Sequence, residues 1–125
     1  LLLTKNIRSF ESDNVVCKSL IKAKYYDQLK WLLQNRFIKS FEVCPTFQLS
    51  SKEEHEFPFL YTADFKIINL NGSVDVIDLK SMEKDEFYRK KRELKERFSC
   101  TLSCITYDEK QKWIDREKLS WWSCG

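Results

Sequence analysis

Along "SLIKAKYYDQLKWLLQNR", from residue 19 to about residue 36, Ile21, Tyr25, Leu29 and Leu32 recur every three or four positions. That spacing marks one face of an α-helix, and Ser19 brings a hydroxyl able to cap its first turn. The next run, "FIKSFEVCPTFQL", mixes aromatic and β-branched residues around Pro45. Proline cannot donate to a β-ladder, so this run predicts a bent strand or two short ones. "SSKEEHEFP" reads as a charged, solvated loop. Two β-rich runs, "FLYTADFKIINL" and "SVDVIDLKS", then flank Asn71-Gly72. Asn-Gly between such runs predicts a tight hairpin with both turn residues at positive φ, which accounts for Gly72 on backbone grounds alone.

A second helix is expected over residues 83–98, "EKDEFYRKKRELKERF", where Phe87, Leu94 and Phe98 form an apolar stripe with Lys91 inside it. Lys91 there is either a lysine facing a site or one whose stem is buried while its ammonium reaches water. Arg89, Arg92, Lys95 and Arg97 alternate with Glu93 and Glu96 as intrahelical pairs. "SCTLSCITY" follows as a strand. The tail, 108–125, reads as a short helix with Trp113, Trp121 and Trp122 covering an apolar surface. The predicted order is α-β-β-β-α-β with an arm at 1–17, a core at 19–107 and the tail, an α/β (α+β) domain of 125 residues.

Composition changes this picture little. A chain that is 42% hydrophobic and 14% aromatic has the material for one core, not two. Its net charge of +3, from 22 basic and 19 acidic residues, is compatible with nucleic acid without selecting it. Five cysteines with no CxxC pair, and a lone His55 far from them, exclude the usual zinc spacings and fit reduced thiols. No segment approaches the roughly 18–20 apolar residues of a membrane span, so a soluble, cytoplasmic protein is expected.

The hairpin holds the residues with chemistry. Side chains alternate along a strand, so Asp78 and Lys80 share one face. A turn at Asn71-Gly72 brings Asp64 near position 79, within reach of Asp78. Two neighbouring carboxylates repel, and a hard cation such as Mg²⁺, which prefers oxygen ligands, relieves that repulsion. A lysine beside them can stabilise charge developing on a phosphodiester.

With "ADF" on one strand and "IDLKS" on the next, the element order resembles that of the PD-(D/E)xK nuclease superfamily. The segments "KAKYYDQLKWLLQNRFIKSFEVCPTFQLS", "YTADFKIINL", "VDVIDLKS" and "EFYRKKRELKERF" are similar to small phage-encoded endonuclease-like domains of that superfamily, over residues 19–107. The resemblance implies a restriction-endonuclease-like core, a central mixed sheet flanked by helices. It implies a DNA endonuclease in which Asp64 and Asp78 hold Mg²⁺ or Mn²⁺ and Lys80 completes the catalytic set. Lys90 and Lys91 stand where members of the superfamily often carry a site-facing lysine or glutamine. Lys90, Lys91 and Arg92 are candidates for nucleic-acid contact, with a mixed solvated face as the alternative, and a homodimer or a protein partner is compatible with the resemblance. The superfamily usually carries a glutamate in the first helix, where this chain has Lys22. That departure leaves open an inactive variant, an engineered or diverged site, or another carboxylate, Glu11 or Glu42, entering the pocket. The alternative function is a catalytically degenerate nuclease fold that binds nucleic acid or serves in an assembly.

Overall fold

The computed structural model describes residues 16–49, 59–80 and 82–118. In chain order these form α1 (Val16–Gln34), β1 (Ile38–Val43), β2 (Thr46–Leu49), β3 (Phe59–Thr62), β4 (Phe65–Asn69) and β5 (Val74–Asp78). Then come α2 (Lys84–Phe98), β6 (Cys100–Asp108), β7 (Lys112–Asp115) and a 3₁₀ turn (Arg116–Lys118). The architecture is α+β, built on a five-stranded sheet of order β1-β4-β5-β6-β7 beside a two-stranded sheet of β2 and β3. Among the described strands only β5 and β6 run parallel. A parallel pair needs a crossover, and α2 supplies it.

Period-two alternation divides the core between the two faces of the large sheet. Phe65, Ile67 and Ile77 meet Leu29, Tyr25 and Leu32 of α1 on one face. Val76, Leu102 and Cys104 meet Phe87 and Leu94 of α2 on the other, together with Phe47, Leu49 and Tyr61 of the small sheet. Leu29, Phe65, Phe87, Leu94 and Val76 are wholly buried, each stabilising the fold by about 1.5–3 kcal/mol.

α1 begins at Val16, so Ser19 lies inside the helix and does not cap it, and the predicted arm gives up its last two residues. Three further expectations change. "FLYTADFKIINL" is not one strand: it breaks at Ala63-Asp64, and β3 and β4 belong to different sheets. Its partner breaks opposite, at Cys44-Pro45, where Cys44 takes a left-handed φ of 55°. Bonds from Cys44 N to Asp64 O (2.9 Å) and from Ala63 N to Pro45 O (3.0 Å) carry the pairing across the joint. The proline therefore bends a whole ribbon. Second, the tail opens with a strand, β7, and one 3₁₀ turn in place of a helix. Trp113 packs edge-on against Tyr25 and Tyr107, and its indole N–H donates to Gln28 at 2.7 Å. Trp121, Trp122, His55 and Glu11 lie outside the described residues.

The third change is in the hairpin turn. Asn69 N donates to Ser73 O and Gly72 N donates to Asn69 O, both at 2.9 Å. Gly72 alone in the turn has positive φ, +91°. The loop is thus three residues, a tight turn closed by a left-handed glycine, where a two-residue turn was expected. One extra loop residue shifts the register of the entire hairpin.

Candidate functional site

That shift decides where the carboxylates fall. The ladder pairs Phe65 with Ile77 and Lys66 with Val76. One step further Asp64 stands across from Asp78, not from the residue after it. Asp64 N donates to Ile77 O at 3.0 Å, which holds the bend against the end of β5. Consecutive backbone amides then fix the two side chains: Leu79 N donates to Asp64 Oδ2 at 2.7 Å, and Lys80 N to Asp78 Oδ1 at 3.0 Å.

Asp78 is completely buried, and a buried carboxylate costs several kcal/mol unless it is paired and hydrogen-bonded. Its partners are Lys80 and Tyr61, with Cys104 beside them. Lys80 Nζ lies 3.2 Å from Oδ1 and also donates to Thr62 O at 3.4 Å. Tyr61 donates its hydroxyl to Oδ2 at 2.5 Å. Burial, then the charge of Asp78, pushes the Tyr61 phenol far above its ordinary value, so the hydroxyl stays a donor. Cys104, directly across the ladder from Asp78, donates its thiol to Lys80 O at 3.2 Å. Burial, with Asp78 adding to it, pushes that thiol up to about 11.

Asp64 is more open and has a different cation. Lys22, on α1, sets Nζ 3.6 Å from Asp64 Oδ1 and donates to Cys44 Sγ at 2.9 Å. Lys22 thus turns its ammonium toward the Asp64 carboxylate. Glu42 is exposed and stands across the ladder from Lys66. Among the described residues no group of three or more His, Cys, Asp or Glu side chains is placed to hold a metal ion.

The α2 lysines exchange roles relative to expectation. The buried lysine is Lys90, not Lys91: it lies with Phe87 and Leu94, its Nζ 4.4 Å from the centre of the Tyr61 ring and 2.6 Å from Glu86. Lys91 instead pairs with Glu117 at 2.7 Å. Phe98 is at the edge of the stripe, 39% exposed and packed on Phe47. Lys91 and the exposed Arg92 line an open cleft of about 420 Å³ with Tyr88, Lys95, Cys100 and Thr101. Cys100 pairs with Val74, at the opposite end of β5 from Asp78. Lys91 and Arg92 thus share one cleft, while Lys90 is turned away from it into the core beneath Tyr61.

Sequence reasoning missed Tyr61, Cys44 and Cys104. Cys104 shared a quoted strand with Cys100, but its pairing with Asp78 depends on the β5–β6 register. Tyr61 carried no signal. In an unbroken strand Tyr61, Ala63 and Phe65 would share one face, yet Tyr61 and Ala63 enter the α2 core while Phe65 enters the α1 core.

A family model described as "Protein of unknown function (DUF1064)" matches residues 5–119, nearly the whole chain. The chain belongs to this family. No curated protein and no solved structure matches it. In this DUF1064 chain, no helix among the described residues is long and apolar enough to cross a membrane.

Proposed function

We propose that the chain is a metal-dependent endonuclease that hydrolyses DNA phosphodiester bonds, with Asp64, Asp78 and Lys80 as its catalytic set. The observation that carries this reading is the seating of Asp64 and Asp78 on the consecutive amides of Leu79 and Lys80, with the Lys80 ammonium on Asp78. Its resemblance to PD-(D/E)xK nucleases points the same way.

The donor set suits a hard divalent cation. Mg²⁺ is commonly held by one or two carboxylates, with water and substrate phosphate completing its octahedron. Asp64 Oδ1 meets Lys22 only at ion-pair distance, 3.6 Å, and is the oxygen most readily given to a cation. When bound, Mg²⁺ or Mn²⁺ supplies a more acidic water and offsets charge on the phosphate. Tyr61, as a neutral donor, holds Asp78 in one orientation. Lys80, whose side chain is 41% exposed, can turn its ammonium from Asp78 toward a phosphate oxygen. Lys22 opposes the cation by like charge, so the wild-type chain works below the capacity of its scaffold. A cytoplasmic location, as expected from the sequence, belongs to this reading.

The test is cleavage of supercoiled, linear and branched DNA with Mg²⁺ or Mn²⁺. Activity is expected in the wild type, lost in Asp78→Ala and raised in Lys22→Glu. Unchanged cleavage in Asp78→Ala would sink the site. The Lys22–Asp64 pair favours a second reading, a nuclease fold that binds DNA without cutting it. Under that reading Lys22→Glu stays inert while the wild type still retards DNA in a gel.

A further inference from the structure

The C-terminus of α1 ends in a way that sacrifices stability. Phe37 N donates to Leu32 O at 2.8 Å and Arg36 N to Leu33 O at 3.0 Å, the paired bonds of a Schellman cap. The left-handed position of that cap favours glycine, but here it is Arg36, at φ 61°. The following residue normally folds back onto the helix with apolar contact. Phe37 makes that contact with Trp31, one position ahead of Leu32 in the helix, with ring centres 5.6 Å apart and planes 14° from parallel. Both rings stay open to solvent, Trp31 at 55% and Phe37 at 58%. Residues 28–41 carry Lys30, Arg36 and Lys39 and no carboxylate; the nearest before them, Asp27, is one helical turn ahead of Trp31.

We propose that the Trp31–Phe37 stack is a platform for an unpaired base of single-stranded DNA, with Lys30, Arg36 and Lys39 attracting its phosphates. An exposed aromatic stack within a basic segment matches both parts of such a strand, because bases stack on rings and phosphates are drawn to cations. The assignment of DNA rests on the endonuclease reading above and identifies the part of the substrate that this surface takes. Nine residues separate Lys22 from Trp31, about 14 Å along the helix axis at ~1.5 Å per residue. Trp31 is on the outer side of α1. A strand leading from Asp64 to the platform therefore passes over the helix and spans about four base steps if stacked at ~3.4 Å each, fewer if extended. The substrate this predicts is a duplex with a single-stranded extension or flap, not a blunt duplex.

The experiment measures binding alone, using the full chain in chelator so that no cleavage can occur, whether or not the chain is a nuclease. Fluorescently labelled single-stranded DNA, blunt duplex and an oligoribonucleotide of the same sequence are titrated with wild type, Trp31→Ala/Phe37→Ala and Arg36→Gly. The double variant should lose about 5- to 100-fold in affinity for single-stranded DNA, the range base–aromatic stacking supports, with little change on blunt duplex. Arg36→Gly should raise the melting temperature, relieving the left-handed arginine, while weakening single-strand binding and its salt dependence. Unchanged single-strand affinity in a double variant with wild-type circular dichroism overturns the proposal. An equal loss on blunt duplex overturns it too, as does tighter binding of RNA through the same rings. Sedimentation in which the double variant dissolves a wild-type dimer that binds no DNA would identify the occupant as a second copy and overturn it as well.

Discussion

The two ends of the β4–β5 hairpin are equally polar but are held in opposite ways. At the turn end the polar groups close on one another. Asn71 Oδ1 accepts from Ser73 N and Ser73 Oγ, while Asn69 Nδ2 donates to Ser73 Oγ and to Asp75 Oδ2. Every partner lies within six residues, and a free hairpin could make the same set. At the open end Asp64 and Asp78 draw on Lys22, Tyr61 and Lys80, from α1, the small sheet and the segment after β5. Polar residues that shape a turn are explained by the turn. A buried aspartate supplied with partners from across the chain is not explained by local geometry, so chemistry is expected at one end only.

Breaking the comparison at its strongest point means removing one aspartate from each end. Asp78→Ala should abolish cleavage and, by leaving the Tyr61 hydroxyl unsatisfied, cost about 1–3 kcal/mol beyond any lost packing. Asp75→Ala should leave cleavage near wild type. Equal losses of cleavage in the two variants would erase the distinction. Tyr61→Phe removes one donor from a fully buried carboxylate and should cost about 1–3 kcal/mol in urea unfolding, with cleavage reduced rather than lost.

A smaller effect involves Tyr25, whose hydroxyl is pushed from 10.0 up to about 12, by burial first and by Asp75 second. A raised phenol stabilises the fold fully below its unfolded value, and that contribution is lost as pH climbs from 10 to about 12. Tyr25→Phe should therefore flatten the fall in stability over that window, measured by denaturant midpoints across pH. The smallest effect is at Gly72. A Cβ there meets no atom within 4 Å, so Gly72→Ala should carry only the left-handed backbone cost, about 1 kcal/mol in thermal unfolding.

Much of the scaffold was legible because its signals are local. The Ile21–Leu32 spacing, the paired β-runs around Asn71-Gly72 and the amphipathic 83–98 segment each fix an element within a dozen or so residues. The Asp64–Asp78 pairing was legible to within one residue, the error lying in turn length, which depends on how Asn69 and Ser73 close. Periodicity could not separate Lys90 from Lys91, since i+3 and i+4 from Phe87 lie on the same face; packing beneath the Tyr61 ring selected Lys90. The break at Ala63-Asp64 was illegible, because proline marks a bend only in its own strand. Tyr61 and Cys44 joined the site only once the ribbon had bent.

That joint makes the small sheet a lever. Tyr61 and Thr62 ride on β3, whereas the Asp78 and Lys80 groups they hold ride on the last residue of β5 and the segment just after it. Rotation of the ribbon about Cys44-Pro45 and Ala63-Asp64 draws the phenol from one and the carbonyl from the other in a single movement. The inclination of β2–β3 to the large sheet and the hydrogen bonding of the Asp78–Lys80 pair are thus linked, so a shift of the outer ribbon would leave the pair's charges in place and remove two of its hydrogen-bond partners.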